Sequence, residues 1–308
     1  MTALLYALIV AAVGTAVALA VYIRRSGRLS RLFLALPRQT RRALIRRPAQ
    51  LKLDGEIRTI TYLACRIANA AEIEQAFRNS PAQLIRLFEK RLGPLYEAVL
   101  EQGGTVERFG SAGFAAFWNA PLSEPKHAAR AVAAANRMME VIRSQNAMTN
   151  LRPNAAPAPP MQLAIGLATG PATAGLFGGA YSVSGACVPR AEDLRAACDV
   201  YGFTALADAP TANGAPRFAL LEIDRPTPDS DEPSAIYALL GDAGLRASPT
   251  FRAIETFHAR IFAAMDEKNF EEARRLIAQA SQLSGASHKL YDLHLARALR
   301  DTPLKAAS

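Results

Sequence analysis

The sequence predicts an α+β fold of the ferredoxin-like, split βαβ kind, preceded by one transmembrane helix and followed by an α-helical hairpin. Three observations lead there. Strand-like and helix-like stretches alternate through the middle of the chain in the order strand, helix, hairpin, helix, strand. Residues 3–23 hold no charged side chain, whereas Thr250 to Asp301 reads as helix throughout. Half of the 308 residues are apolar and a fifth are charged, which supplies a sizeable core and excludes wholesale disorder.

At 1.5 Å per residue, Ala3 to Ile23 spans about 31 Å, the thickness of a bilayer's hydrocarbon core. No Lys or Arg precedes this run and arginines crowd its far side, the reverse of a cleaved signal peptide, so a retained anchor over 1–23 is expected. The positive-inside rule then puts everything from Arg24 onward in the cytoplasm, at the inner face of a cell membrane. The net charge is +9, and residues 24–47 carry nine arginines and no acid, so the rest of the chain is neutral. Arg24, Arg25, Arg28, Arg31, Arg38, Arg41, Arg42, Arg46 and Arg47 interleave with Leu29, Leu32, Phe33, Leu36, Leu44 and Ile45. A basic segment over 24–50 lying on anionic headgroups fits this pattern, each cation adding about 1 kcal/mol of attraction. Nucleic acid is not an expected partner, because no aromatic stacking or base-reading motif accompanies the arginines.

A first strand is predicted from Leu53 to Ile67, β-branched and apolar at Arg58-Thr-Ile-Thr-Tyr-Leu63. Ser80-Pro81 is a helix start, and Leu84, Leu87, Phe88, Leu92, Leu95, Val99 and Leu100 recur at helical spacing until Gly103-Gly104 ends the run. Thr105 to Trp118 reads as a hairpin about Gly110-Ser-Ala-Gly113, and a helix follows over about His127 to Ser144. Met148 to Pro160, with four prolines, reads as a loop. Beyond it come a strand (Met161 to Thr169), a Gly-rich hairpin (Gly170 to Val188), a helix (Ala191 to Val200) and two strands (Arg217 to Ile223, Ala235 to Leu240). Gly166 and Gly170 read as serving the entry to that hairpin. Ala263, Phe270, Ala273, Ile277 and Ala280 then suggest a helical-repeat hairpin over 250–302 with Gly285 between its helices, which needs the body or a partner to cover its apolar face.

Cys65, Cys187 and Cys198 form no disulfide or zinc pattern and read as small core residues. His127, His258, His288 and His294 are scattered and read as solvated helix positions rather than metal ligands. No phosphate-loop or nucleophile-elbow motif occurs.

Taken in order, residues 51–243 resemble a class III adenylate/guanylate cyclase homology domain. The resemblance rests on Gly55-Glu56-x-Arg58 before the first strand, Gly104-Thr-Val-Glu-Arg108-Phe109, and Ala116-Phe-Trp-Asn-Ala-Pro121 followed by His127-Ala-Ala129. Ile165-Gly-Leu-Ala-Thr-Gly170 and Tyr181-Ser-Val-Ser-Gly185 before Val188 complete it. The helical tail is similar to those of membrane-bound bacterial cyclases. The resemblance implies a dimer, with itself or a partner protein, and two Mg²⁺ ions held by aspartates, since Mg²⁺ wants hard anionic oxygens.

This chain departs from the family at those positions. Arg66 and Ala112 stand where the two aspartates belong, and Pro189 and Asp193 where an Asn and an Arg stabilise the transition state. Losing one such group costs about 3–4 kcal/mol. No metal or other cofactor and no catalytic activity are therefore expected. The leading expectation is a membrane-anchored, inactive dimerisation, scaffold or regulatory subunit. Arg108 and Ser182 match the family's base-reading positions and Arg190 is a substitute phosphate contact, so a metal-independent nucleotide sensor is the alternative. Residual cyclase activity through Glu107, Glu192 and Asp193 is a second alternative.

Overall fold

A computed structural model of the chain describes residues 55–110, 112–150, 159–177, 180–225, 235–284 and 288–301. The expected membrane helix and the arginines of the basic segment lie outside these residues. Among the described residues no helix is long and apolar enough to cross a membrane.

Strand β1 (Glu56–Ile67) is the centre of an eight-stranded sheet. It is followed by helices α1 (Ala70–Ala76) and α2 (Pro81–Glu101), and then by the hairpin β2 (Thr105–Gly110) and β3 (Gly113–Trp118). Helix α3 (His127–Asn150) leads to the long strand β4 (Leu163–Phe177), which turns back as β5 (Ala180–Gly185). Helix α4 (Cys187–Tyr201), β6 (Ala205–Asp208), α5 (Ala209–Asn213), β7 (Ala219–Asp224) and β8 (Ile236–Gly241) complete the body. The order across the sheet is β2-β3-β1-β4-β6-β8-β7, with β5 paired to β4 off this path; only β4 and β6 run parallel.

The period of two in β1 sorts its side chains between two cores. Leu63, Cys65 and Ile67 pack under α2 and α3 with Leu92, Leu95, Val132 and Met138. Ile60, Tyr62 and Ala64 pack under α4 with Ala191, Leu194 and Cys198. Burial pushes the Cys65 thiol up to about 12 and those of Cys187 and Cys198 to about 11, as small core residues should behave.

Several boundaries differ from the sequence reading. Helix α3 runs through Met148 to Asn150, and α4 begins at Cys187 with Pro189 in its first turn, where a missing N–H is harmless. The short elements α1, β6 and α5 carried too few residues to show a period. Gly166 is not a hairpin entry: it lies in mid-β4, where a Cβ would sit 1.9 Å from the Ala191 carbonyl oxygen of α4. Its bare Cα lets the helix rest on the sheet.

The tail is three helices after a short α6 (Ala243–Ala247): α7 (Pro249–Asp266), α8 (Phe270–Ser284) and α9 (His288–Asp301). Its first reversal is a turn at 267–269, with Lys268 at φ 55°. It packs on the body, as its apolar stripe required: Phe251 and Leu290 enter the core beneath α4. His258 and His294 are not solvated. They are 2% and 1% exposed and bond to the backbone of β7, His258 Nδ1 to the Glu222 carbonyl at 3.0 Å and His294 Nε2 to the Ile223 carbonyl at 2.9 Å. Asp224 at the end of β7 accepts from Tyr201 of α4 and, at 2.6 Å, from Arg297 of α9.

Candidate functional site

Arg66 ends the α4-facing row Tyr62, Ala64, Arg66 on β1 and is exposed. It lies opposite Gly113 of β3 and Ala164 of β4. Gly113 is obligatory, because a Cβ there would meet the Cys65 carbonyl oxygen at 2.2 Å. Ala112, in the turn before it, accepts the Ile67 amide at 2.7 Å. Arg66 and Ala112 therefore come together at one end of the sheet. A cation beside a methyl group does not fit Mg²⁺, and among the described residues no group of three or more His, Cys, Asp or Glu is placed to hold a metal ion.

Pro189 and Asp193 are exposed on α4. Arg190, one residue after Pro189, lies close enough to Asp208 to favour that carboxylate's charged form. Burial nevertheless pushes Asp208 above the usual carboxylate range, against hydrogen bonds from Thr211 and from the Thr169 amide at 3.1 Å. Asp208 thus marks the Thr169 level of β4, five residues from Ala164, or roughly 17 Å along the strand. Arg190 and Arg66 do not share a site.

The base-reading positions fare differently. β5 lies across the sheet so that Ser182 reaches β2, where its hydroxyl donates to one oxygen of Glu107; the Tyr62 hydroxyl of β1 donates to the other. Glu107 is the extra residue of a β-bulge between Val106 and Arg108, and the bulge aims it onto this face. Ser182, Glu107 and the backbone of Arg108 are therefore neighbours. A carboxylate offers about four lone-pair directions, and among the described residues Tyr62 and Ser182 take two of those of Glu107. Beneath them a hydrogen-bonded chain crosses the sheet, from His127 Nδ1 to Thr61 (2.7 Å), Thr169 (2.8 Å) and Thr211 (2.8 Å). Burial holds His127 below its ordinary value against the opposing charge of Glu124.

Tyr62 was not singled out from the sequence, although its alternation with Ala64 and Arg66 was a usable signal. Arg143, Arg195 and Lys289 were also passed over. They line an open cavity of about 850 Å³ beside Arg66, together with Asp199, and no sequence pattern links α3, α4 and α9.

No family model and no curated protein matches the sequence. Solved structures do. The guanylyl cyclase Cya2 is 22% identical, covers 61% of this chain and 94% of its own, and superposes with a TM-score of 0.51. The adenylyl cyclase CyaB from P. aeruginosa is 18% identical over 62% and 97% of the two chains, TM-score 0.50. A bacterial light-regulated adenylyl cyclase is 12% identical over 72% and 63%, TM-score 0.54.

These neighbours correct one expectation. Reading the chain as a non-enzyme rested on four substituted positions, Arg66, Ala112, Pro189 and Asp193. The structures that share its architecture are named as adenylyl and guanylyl cyclases, and nothing in that shared fold marks this member as inactive. The described body of the chain has the fold of the adenylyl and guanylyl cyclase domains it superposes on.

Proposed function

We propose that this chain is a nucleotide-cyclase-family signalling protein, held on the cytoplasmic face of a membrane by residues 1–23 and 24–50. In this reading its body takes up a purine nucleotide and works as a dimer, with a second copy or a partner protein. The observation that carries the reading is the meeting of β2 and β5 at Glu107, Tyr62 and Ser182. The Glu107 lone pairs that no described residue takes suit a base amino group, which both purines present. The uncharged Ala3–Ile23 segment and the nine arginines after it support the membrane placement. No catalytic step is assigned to a metal, because Arg66 and Ala112 do not suit one.

The test uses purified full-length protein with ATP and GTP, reading equilibrium binding, cyclic product in the presence of Mg²⁺ or Mn²⁺, and oligomeric state. Nucleotide binding that weakens tenfold or more in Glu107→Ala and Ser182→Ala, by a dimeric protein, supports the reading. Binding unaltered by either substitution, or absent at millimolar nucleotide, overturns it. The product assay then decides whether bound nucleotide is cyclised.

A further inference from the structure

The cavity beside Arg66 lies on the β4 side of β1, away from the β2–β3 hairpin. The C-terminal parts of α3 and α4, the first residues of β4 and Lys289 of α9 wall it. Its charged lining is Arg66, Arg143, Arg195, Lys289 and the single carboxylate of Asp199, a net charge of +3. That imbalance stands out in a chain whose sequence beyond residue 47 is neutral overall.

Two of the cations are already committed. Lys289 Nζ bonds Asp199 Oδ1 at 2.6 Å and its carbonyl at 3.1 Å, and Arg195 Nε bonds Glu192 at 2.8 Å. Arg143 gives its Nε, at 3.3 Å, to the Met139 carbonyl, and the two-pronged end of its guanidinium has no partner among the described residues. Arg66 has no side-chain partner among the described residues. Two arginines therefore line one cavity without an ion-pair partner among the described residues, the cavity's one carboxylate, Asp199, being bonded to Lys289. Guanidinium forks match phosphate oxygens in pairs, and the volume falls within the range of small-ligand sites.

We propose that this cavity binds a polyphosphate-bearing anion without a metal, with Arg66 and Arg143 as its principal contacts and Arg195 as a third. The cations supply the neutralising charge that a bound Mg²⁺ supplies elsewhere. This inference does not depend on the base-reading role of Glu107 and Ser182.

Titration calorimetry on the full-length protein in EDTA tests it, with inorganic tripolyphosphate and ATP as separate probes. Tripolyphosphate is expected to bind, more weakly as salt rises. The paired substitution Arg66→Gln with Arg143→Gln is expected to raise its Kd tenfold or more, and Arg86→Gln, at an exposed position of α2, to leave it unchanged. Both substituted arginines are exposed, so folding is not at stake; unchanged thermal melting verifies this. ATP binding tighter than tripolyphosphate identifies a nucleotide as the ligand class, and equal binding an inorganic polyphosphate. No binding of either probe at millimolar concentration, or binding untouched by the paired substitution, overturns the proposal. Loss on Glu107→Ala with retention in the paired variant would place the anion at the other site and equally overturn it.

Discussion

Acid should release the helical tail from the body before it unfolds the sheet, and His258 sets the range. The Glu222 carbonyl can only accept, so Nδ1 carries the proton and Nε2 meets the Tyr291 hydroxyl at 3.0 Å. Burial among Phe262, Tyr291 and the β7 backbone drives the imidazole from 6.5 down to about 4, against the stabilising Glu222 carbonyl, with His294 nearby lowering it further. Between about pH 4 and 6.5 the unfolded chain binds a proton at this residue and the folded chain does not. Stability therefore rises with pH across that window and is fully present above it. At about 1.4 kcal/mol per unit, the whole window is worth about 3 kcal/mol, and a shift from pH 7 to 5 costs roughly 2 kcal/mol. His294 is lowered by burial as well and adds in the same direction. Amide hydrogen exchange of α7 and α9, corrected for intrinsic rates and followed from pH 7.5 to 4.5, reads the effect directly. Protection should fall through the window in the wild type. It should flatten in His258→Gln, which keeps a donor and an acceptor without titrating near neutrality. Equal protection at pH 7 and 4.5, or the same slope in His258→Gln, would refute the argument.

Other perturbations give equally definite expectations. Gly166→Ala sets a methyl 1.9 Å from the Ala191 carbonyl and should destabilise the body by about 3 kcal/mol or more, measured by urea unfolding. Leu92→Ala, on the buried face of α2 and 1% exposed, should cost about 2–5 kcal/mol in the same assay. Burial raises the Asp224 carboxyl, but Arg297 and Tyr201 outweigh it and hold the group below its usual range. Its contribution is thus present above about pH 4 and lost as pH falls further. Asp224→Asn should loosen α9 at neutral pH, seen as faster proteolysis after residue 288.

Local pattern made much of this protein readable. The apolar stripe of α2, the Ser80-Pro81 start and the Gly103-Gly104 stop place that helix within a residue, because periodicity and breaker residues act over a few positions. The alternation of β1 puts Tyr62, Ala64 and Arg66 on one face, and Gly110–Gly113 fixes the hairpin that brings Ala112 beside Arg66. Only the tertiary structure decided the rest. It buried His258 and His294 against β7, since a histidine's environment depends on which surface its helix meets and not on its neighbours in sequence. It joined Ser182 to Glu107 across 75 residues through a bulge and a folded-over hairpin. It gathered Arg66, Arg143, Arg195 and Lys289 around one cavity from four separate elements, and separated Arg190 from them. Charge type is written in the sequence, but charge density is a property of distance, and distance between remote segments exists only after the chain has packed.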